Sequence, residues 1–228
     1  MKSPQPISVT TGIRSRQHYP CIEALPSAQR YLVVSQAPVP GMAQAAVEQL
    51  EQLGQRVRVL LDRRVGAEAS VLAALSEVPS DKATGVTGAW LEIPESVLTT
   101  QSRDEEAGSR HVLSDAINHV GASGCLIAIG SEHFVWQIAQ QGQQRGLVQD
   151  DILMLPVAAC GRHLFCVHCQ HVTANVHHTP ATCGGCGMSL EVRDHFSKRL
   201  GGYMGVRVDA EAPGELPETQ EVAPCLAS

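Results

Sequence analysis

Aromatic side chains are scarce in this sequence, at 4% of residues. That leaves little material for the stacking platforms that bind single-stranded nucleic acid. A surplus of positive charge is missing too: Asp and Glu outnumber Lys and Arg by 23 to 17, for a formal net charge of -6. A protein whose main task was gripping phosphate backbones would carry the opposite balance. No apolar run approaches the length of a membrane span, and the opening residues MKSPQPISVTTG lack an apolar core of signal-peptide length. The expectation is a cytoplasmic protein with neither a nucleic acid nor a membrane as partner. Common cofactor fingerprints are absent as well: there is no P450-like haem cysteine motif, no plant-type C-x4-C-x2-C ferredoxin spacing and no flavin motif.

What the chain does have is cysteine in an informative pattern. Cys166 and Cys169 form one C-x-x-C, and Cys183 and Cys186 form another. Two residues between thiols is the spacing at which a tight turn points both sulfurs at one ion. Two such turns predict a tetrahedral four-thiolate metal site with metal–sulfur bonds of ~2.3 Å. Gly184, Gly185 and Gly187 are expected to supply positive φ angles and close backbone approach. Zinc is the default ion for a closed site of this kind, but iron in a rubredoxin-like site uses the same ligands. Four thiolates on a divalent ion leave a double negative charge, so N–H···S bonds and a cation such as Arg193 or Lys198 are expected nearby. His163, His168, His171, His177 and His178 crowd the same region and are the alternative ligands, with surface polarity the plainer account of them. Thiols kept for metal binding fit a reducing compartment. Of the single cysteines, Cys125 lies in an apolar strand pattern and reads as inert core, whereas Cys21, Cys160 and Cys225 have no assigned role.

The 228 residues suffice for a core and a small extra module. Residues 1–28 are polar and proline-bearing and read as a lead-in. From 29 to 158 the pattern alternates. Tyr31–Val34 is a short continuous apolar run, the mark of a strand buried on both faces. Met42, Ala46, Leu50 and Leu53 recur at helical spacing, and Gly54 closes that helix. Val57–Leu61 is a strand, Val71, Leu72 and Leu75 suggest a helix, and Ala89–Leu91 a strand. Gln101–Glu106 is a charged loop. Val112–Val120 predicts a helix ended by Gly121, Cys125–Ile129 a strand, and Ser131 the N-cap of a helix ended by Gly142 and Gly146. Ile152–Leu155 is a last strand. Strands alternating with helices at this density predict an α/β domain, a parallel sheet with helices on both faces. Residues 159–193 hold the four-cysteine ribbon, expected to have two or three strands and to need its metal to fold. Residues 194–210 read either as a helix packed on the ribbon or as a partner-docking segment. Residues 211–228 are an acidic, proline-rich tail, expected to be flexible or to lie along a neighbour. His195 is too isolated to name as a base, and no catalytic or cofactor-binding residue is assigned.

The order of elements in the first domain resembles the nucleotide-binding domain of the ferredoxin reductase family. The corresponding loops, Y-L-V-V-S-Q-A-P-V-P-G-M and L-I-A-I-G-S-E-H-F-V-W, depart from that family: the first has prolines where glycines would approach a pyrophosphate, and the second lacks the Cys-Gly-Pro turn. A degenerate domain kept for packing against partners is the expectation. Taken with the F-C-V-H-C…C-G-G-C-G ribbon and the D-H-F-S-K-R-L-G-G-Y-M-G segment, the chain resembles the DmmA subunit family of bacterial dimethylamine monooxygenase. The resemblance implies an accessory, non-oxygenase subunit of an NADPH- and O2-dependent monooxygenase, a hetero-oligomer that demethylates dimethylamine to methylamine and formaldehyde. It also implies that the flavin, the [2Fe-2S] cluster and the haem reside on partner subunits, a reductase and an oxygenase. A rubredoxin-like electron-transfer protein and a zinc-ribbon interaction protein are the alternative readings. No Lys or Arg occurs between Cys166 and Cys186, which argues against a nucleic-acid-binding ribbon.

Overall fold

The computed structural model describes residues 17–22, 25–36, 40–52, 56–62, 87–91, 107–157, 161–212 and 214–222. Apart from Gln17, which is grouped with the later residues, they fall into two compact units, one within His18–Cys160 and the other within Gly161–Pro224. The helical pattern at Val71–Leu75, the charged loop at 101–106, Leu53 and Gly54, Cys160 and Cys225 lie outside the described residues.

The first unit is built on strands β1 (Arg30–Gln36), β2 (Arg56–Asp62), β3 (Thr87–Leu91), β4 (Gly124–Gly130) and β5 (Ile152–Pro156). Helices α1 (Pro40–Gln52), α2 (Ala107–Val120) and α3 (Glu132–Gln144) accompany them. All strand pairs are parallel, in the order β3-β2-β1-β4-β5. In the central strands successive side chains alternate between two covered faces, so the continuous apolar runs of β1 and β4 are buried throughout. On one face Tyr31, Val33, Cys125 and Ile127 pack with Ala46, Val47 and Leu50 of α1. On the other, Gly142 of α3 rests against Leu126, and Val120 of α2 against Gly124. Helices therefore cover both faces. Burying each Leu or Ile here contributes about 1.5–3 kcal/mol relative to exposure.

Local signals account for the ends of the elements. Gly121 has φ +67 after α2, and the Ser131 side chain accepts the Phe134 N–H at the start of α3. Gly142, expected to end α3, lies inside it, and the helix runs on to Gln144 with Gly146 at φ +92 beyond. The lead-in contributes more than its composition suggests. Tyr19 is buried, its hydroxyl donates to the Glu132 carboxylate, and it accepts the Trp136 indole N–H at 2.8 Å. The Tyr31 hydroxyl donates to the Pro26 carbonyl at 2.7 Å and accepts the Ala28 N–H at 2.9 Å.

The second unit is larger than a two- or three-stranded ribbon. Strands β6 (Arg162–Cys166), β7 (Val172–Val176), β9 (Ala181–Thr182), β10 (Ser189–Ser197) and β11 (Gly202–Arg207) form a 5-stranded sheet in the order β7-β6-β11-β10-β9. β8 (His178–Thr179) pairs with β12 (Gln220–Glu221) in a separate 2-stranded sheet. Residues 194–210 are thus no helix. They are the end of β10, a turn, and β11, which is the central strand and runs parallel to β6. Part of the acidic tail is likewise pinned, through β12.

The motif that follows the second pair of cysteines has a packing role in this sheet. Asp194 pairs with the buried Arg162 guanidinium at 2.9 Å, and that guanidinium lies 4.0 Å from the centre of the Tyr203 ring. Phe196 meets Tyr203 edge-on at 5.2 Å. The register shift in β10 between Val192 and Phe196 falls where Asp194 reaches across to Arg162.

Candidate metal centre

The two C-x-x-C turns converge. The sulfurs of Cys166, Cys169, Cys183 and Cys186 all lie within 4.8 Å of one another. Cys166 and Cys186 are 3.9 Å apart and Cys169 and Cys183 are 3.6 Å apart. A tetrahedral ion with bonds of ~2.3 Å spaces its sulfurs by roughly 3.8 Å, so the four thiols fit one closed-shell or iron centre. Among the described residues no other group of three or more His, Cys, Asp or Glu could hold an ion. The histidines offered as alternatives are not in the thiol cluster: His163 is buried, and His168, His171, His177 and His178 are exposed. The Arg193 guanidinium, proposed as a compensating cation, has its ion pair with Glu191 at 3.6 Å.

The turns are built alike. In the first, the Gln170 N–H returns to the Cys166 carbonyl at 2.9 Å, and in the second the Gly187 N–H returns to the Cys183 carbonyl at 3.0 Å. The residue after each pair is left-handed, Gln170 at φ 62 and Gly187 at φ 72. Gly187 meets the expectation of a positive φ. Gly184 and Gly185 do not, and their reason is space. A Cβ on Gly185 would lie 2.6 Å from the His171 Cβ and 2.8 Å from its Cγ, and one on Gly184 would lie 3.1 Å from the His171 Nε2. The second turn therefore lies bare-backboned against His171, the residue that closes the first.

His171 also ties the first turn together. Its carbonyl accepts the Cys166 N–H at 2.9 Å, and its own N–H points to the Cys169 sulfur. Thr173 completes the link by accepting the Gly184 N–H on its hydroxyl at 3.0 Å. Cysteine spacing carries no signal for His171 or Thr173. They become visible only when the two turns are laid against each other.

The electrostatics suit a cation. At Cys183 desolvation works to raise the thiol, yet the N–H groups of Cys186 and Gly185, followed by the neighbouring thiols, draw it down to about 6. At Cys169 the His171 N–H works to lower the thiol, but desolvation and the thiols of Cys183, Cys186 and Cys166 push it up to about 12. One thiolate is favoured and the next is opposed, because like charges crowd a few ångströms apart. Only a bound cation lets all four ionise together. Cys166 and Cys183 are buried, Cys186 is half-buried and Cys169 is exposed, so the cluster reaches the surface at Cys169.

Elsewhere, His195 is exposed on the β10 bulge, and Cys125 is fully buried with its thiol pushed up by burial to about 12, as inert core requires. Among the described residues no helix is long and apolar enough to cross a membrane.

Residues 163–206, which include all four cysteines, match the family described as the dimethylamine monooxygenase subunit DmmA-like C-terminal domain. Over 198 residues, covering 86% of this chain and 89% of the relative, the sequence is 32% identical to the haem-dependent oxidative N-demethylase delta subunit of Ectopseudomonas mendocina (strain ymp). No solved structure matches the chain.

Proposed function

The chain belongs to the family of the haem-dependent oxidative N-demethylase delta subunit, and from that premise we propose that it is an accessory, non-oxygenase subunit of an oxidative N-demethylase. The observation that carries the reading is the closed geometry of its thiol cluster. Four sulfurs within 4.8 Å of one another fill a tetrahedral ion and leave no open position for substrate or oxygen. Cys166, Cys169, Cys183 and Cys186 are the proposed ligands, and zinc the proposed ion. When bound, zinc supplies a redox-silent crosslink between the two turns. The chain's own groups do the rest: N–H donors from His171, Gly185 and Cys186 stabilise thiolates, and Thr173 holds the second turn to β7.

The substrate we assign to the complex is dimethylamine. One O2, one NADPH and one proton convert it to methylamine, formaldehyde, water and NADP+. Haem, flavin and a [2Fe-2S] cluster belong in this reading to partner subunits, an oxygenase and a reductase, in a cytoplasmic hetero-oligomer. The first unit is read as a ferredoxin-reductase-like domain that has given up its nucleotide. At the sheet's switch point between β1 and β4, where such domains seat a ligand, the Ser131 N–H is taken by the Gln36 side chain at 3.1 Å and the Phe134 N–H by Ser131 at 3.2 Å. The carboxylate of Glu132 is buried at the same helix start, where it would repel a phosphate.

The exposure of Cys169 favours one rival, iron in a rubredoxin-like electron-transfer role. Metal analysis and a visible spectrum of the complex co-expressed with its oxygenase and reductase subunits test both. One zinc per chain and no visible band from this subunit support the accessory reading. A band that stays with this subunit once it is separated from the others, and that bleaches with dithionite, supports the rival, and failure to co-purify with any haem subunit overturns the proposal.

A further inference from the structure

We infer that the knuckle end of the second unit is the surface by which this chain docks on another subunit, and that the partner presents there an apolar face with a Lys or Arg over Cys169. The inference rests on the accessory-subunit reading and assigns that reading its interface. From His163 to Leu190 the sequence contains no Asp, Glu, Lys or Arg, in a chain that is 18% charged. Such a gap would be ordinary in a core strand, but much of this stretch is surface. His168, Cys169, Gln170, Gly184 and Gly185 are exposed. Val167, inside the first turn, and Val172, just beyond it, are 47% and 39% exposed, and they are two of the four large hydrophobic residues exposed among the described residues. Depletion of charge at the centre of a patch is what distinguishes a protein–protein interface from ordinary surface.

Charge identifies the occupant further. Four thiolates on a divalent ion carry two net negative charges, and Cys169 is the exposed residue of the four. The uncharged stretch holds no Lys or Arg of its own to answer them. An apolar partner face with a cation at its centre satisfies the valines and the thiolates together. The competing surface is weaker. Segment 194–210 buries its aromatic residues, Phe196 and Tyr203, inside the sheet and leaves Lys198 and Arg199 exposed at the hairpin tip.

The test is Val167→Lys with Val172→Lys in the full-length chain, co-expressed with the other subunits. A lysine pair set against the partner's cation is expected to weaken association at least about tenfold, with metal content and circular dichroism unchanged. Lys198→Glu at the hairpin is expected to leave association intact. If the double variant loses metal, His168→Lys replaces it, since His168 is exposed between two ligands and is read in the same way. Association within threefold of wild type overturns the inference, as does a Lys198→Glu chain that dissociates while the valine variants hold. Wild-type chain that binds no other subunit removes the accessory-subunit reading itself, a result distinguishable from either.

Discussion

Replacing Gly185 with alanine is the sharpest probe of how the metal centre is held. The new methyl carbon would sit 2.6 Å and 2.8 Å from two atoms of His171 and 3.3 Å from the Cys169 sulfur. The first two distances are far inside van der Waals contact, so either the second turn or His171 must move. His171 is restrained on both sides, because its carbonyl holds the Cys166 N–H and its N–H serves Cys169. Overpacking of this kind costs about 1–3 kcal/mol. Charged against the metal-bound geometry, that is a roughly 5- to 150-fold loss of affinity. Competition with a chromophoric chelator on the full-length chain measures it. Two companions isolate the cause. Gly187→Asn should be nearly neutral, since nothing lies within 4 Å of that position and asparagine tolerates its left-handed backbone. Adding His171→Gly to Gly185→Ala removes both clashing atoms and should recover part of the lost affinity. Wild-type affinity in Gly185→Ala alone would refute the idea that the turns are locked through His171.

Cys183→Ser removes a buried cysteine of the proposed ligand set and should abolish stoichiometric metal binding and unfold the second unit; full metal content by elemental analysis would show the ligand set to be wrong. Asp194→Ala removes the carboxylate paired with the buried Arg162 guanidinium and should cost about 3 kcal/mol in chemical denaturation of the metal-loaded chain, with Asp194→Asn recovering part of it. NADPH titrated into the isolated chain should give no heat, given the occupied N–H groups at Ser131 and Phe134, and saturable micromolar binding would restore a nucleotide site. The Cys125 thiol, fully buried and pushed up to about 12, should resist iodoacetamide at pH 8 until denaturant opens the first unit, as followed by mass spectrometry.

The first unit was legible because its signals are local and dense. Tyr31–Val34 and Cys125–Ile129 are continuous apolar runs that only a doubly covered strand accommodates, and Ser131 caps α3 as its position before a helical pattern indicates. Gly142 misled because a glycine that ends a helix and one that admits a neighbour look the same in sequence; a Cβ there would lie 2.8 Å from Leu126. The convergence of the four cysteines was legible from spacing alone. The strand that holds their sheet together was not. β11 reads as a glycine-broken amphipathic segment, yet a Cβ on Gly202 would lie 2.9 Å from the His163 carbonyl oxygen and one on Gly205 would lie 2.9 Å from Leu164 and Leu190. Those glycines let three strands close up, and β11's parallel partner lies far back along the chain at β6. No local pattern encodes a partner at that distance.

The place of β11 in its sheet has a consequence for how the protein is made. Residues 202–207 leave the ribosome after both β6 and β10, and they fill the gap between those two strands. Until they emerge, β6 has one unsatisfied edge, and the Val167 N–H still awaits the Gly205 carbonyl that takes it at 3.1 Å in the finished sheet. Both pairs of thiols are translated well before that gap closes. A nascent chain in a metal-poor cell would therefore hold four reduced sulfurs beside an open strand edge, the stage at which oxidation or strand-swapped aggregation competes with folding.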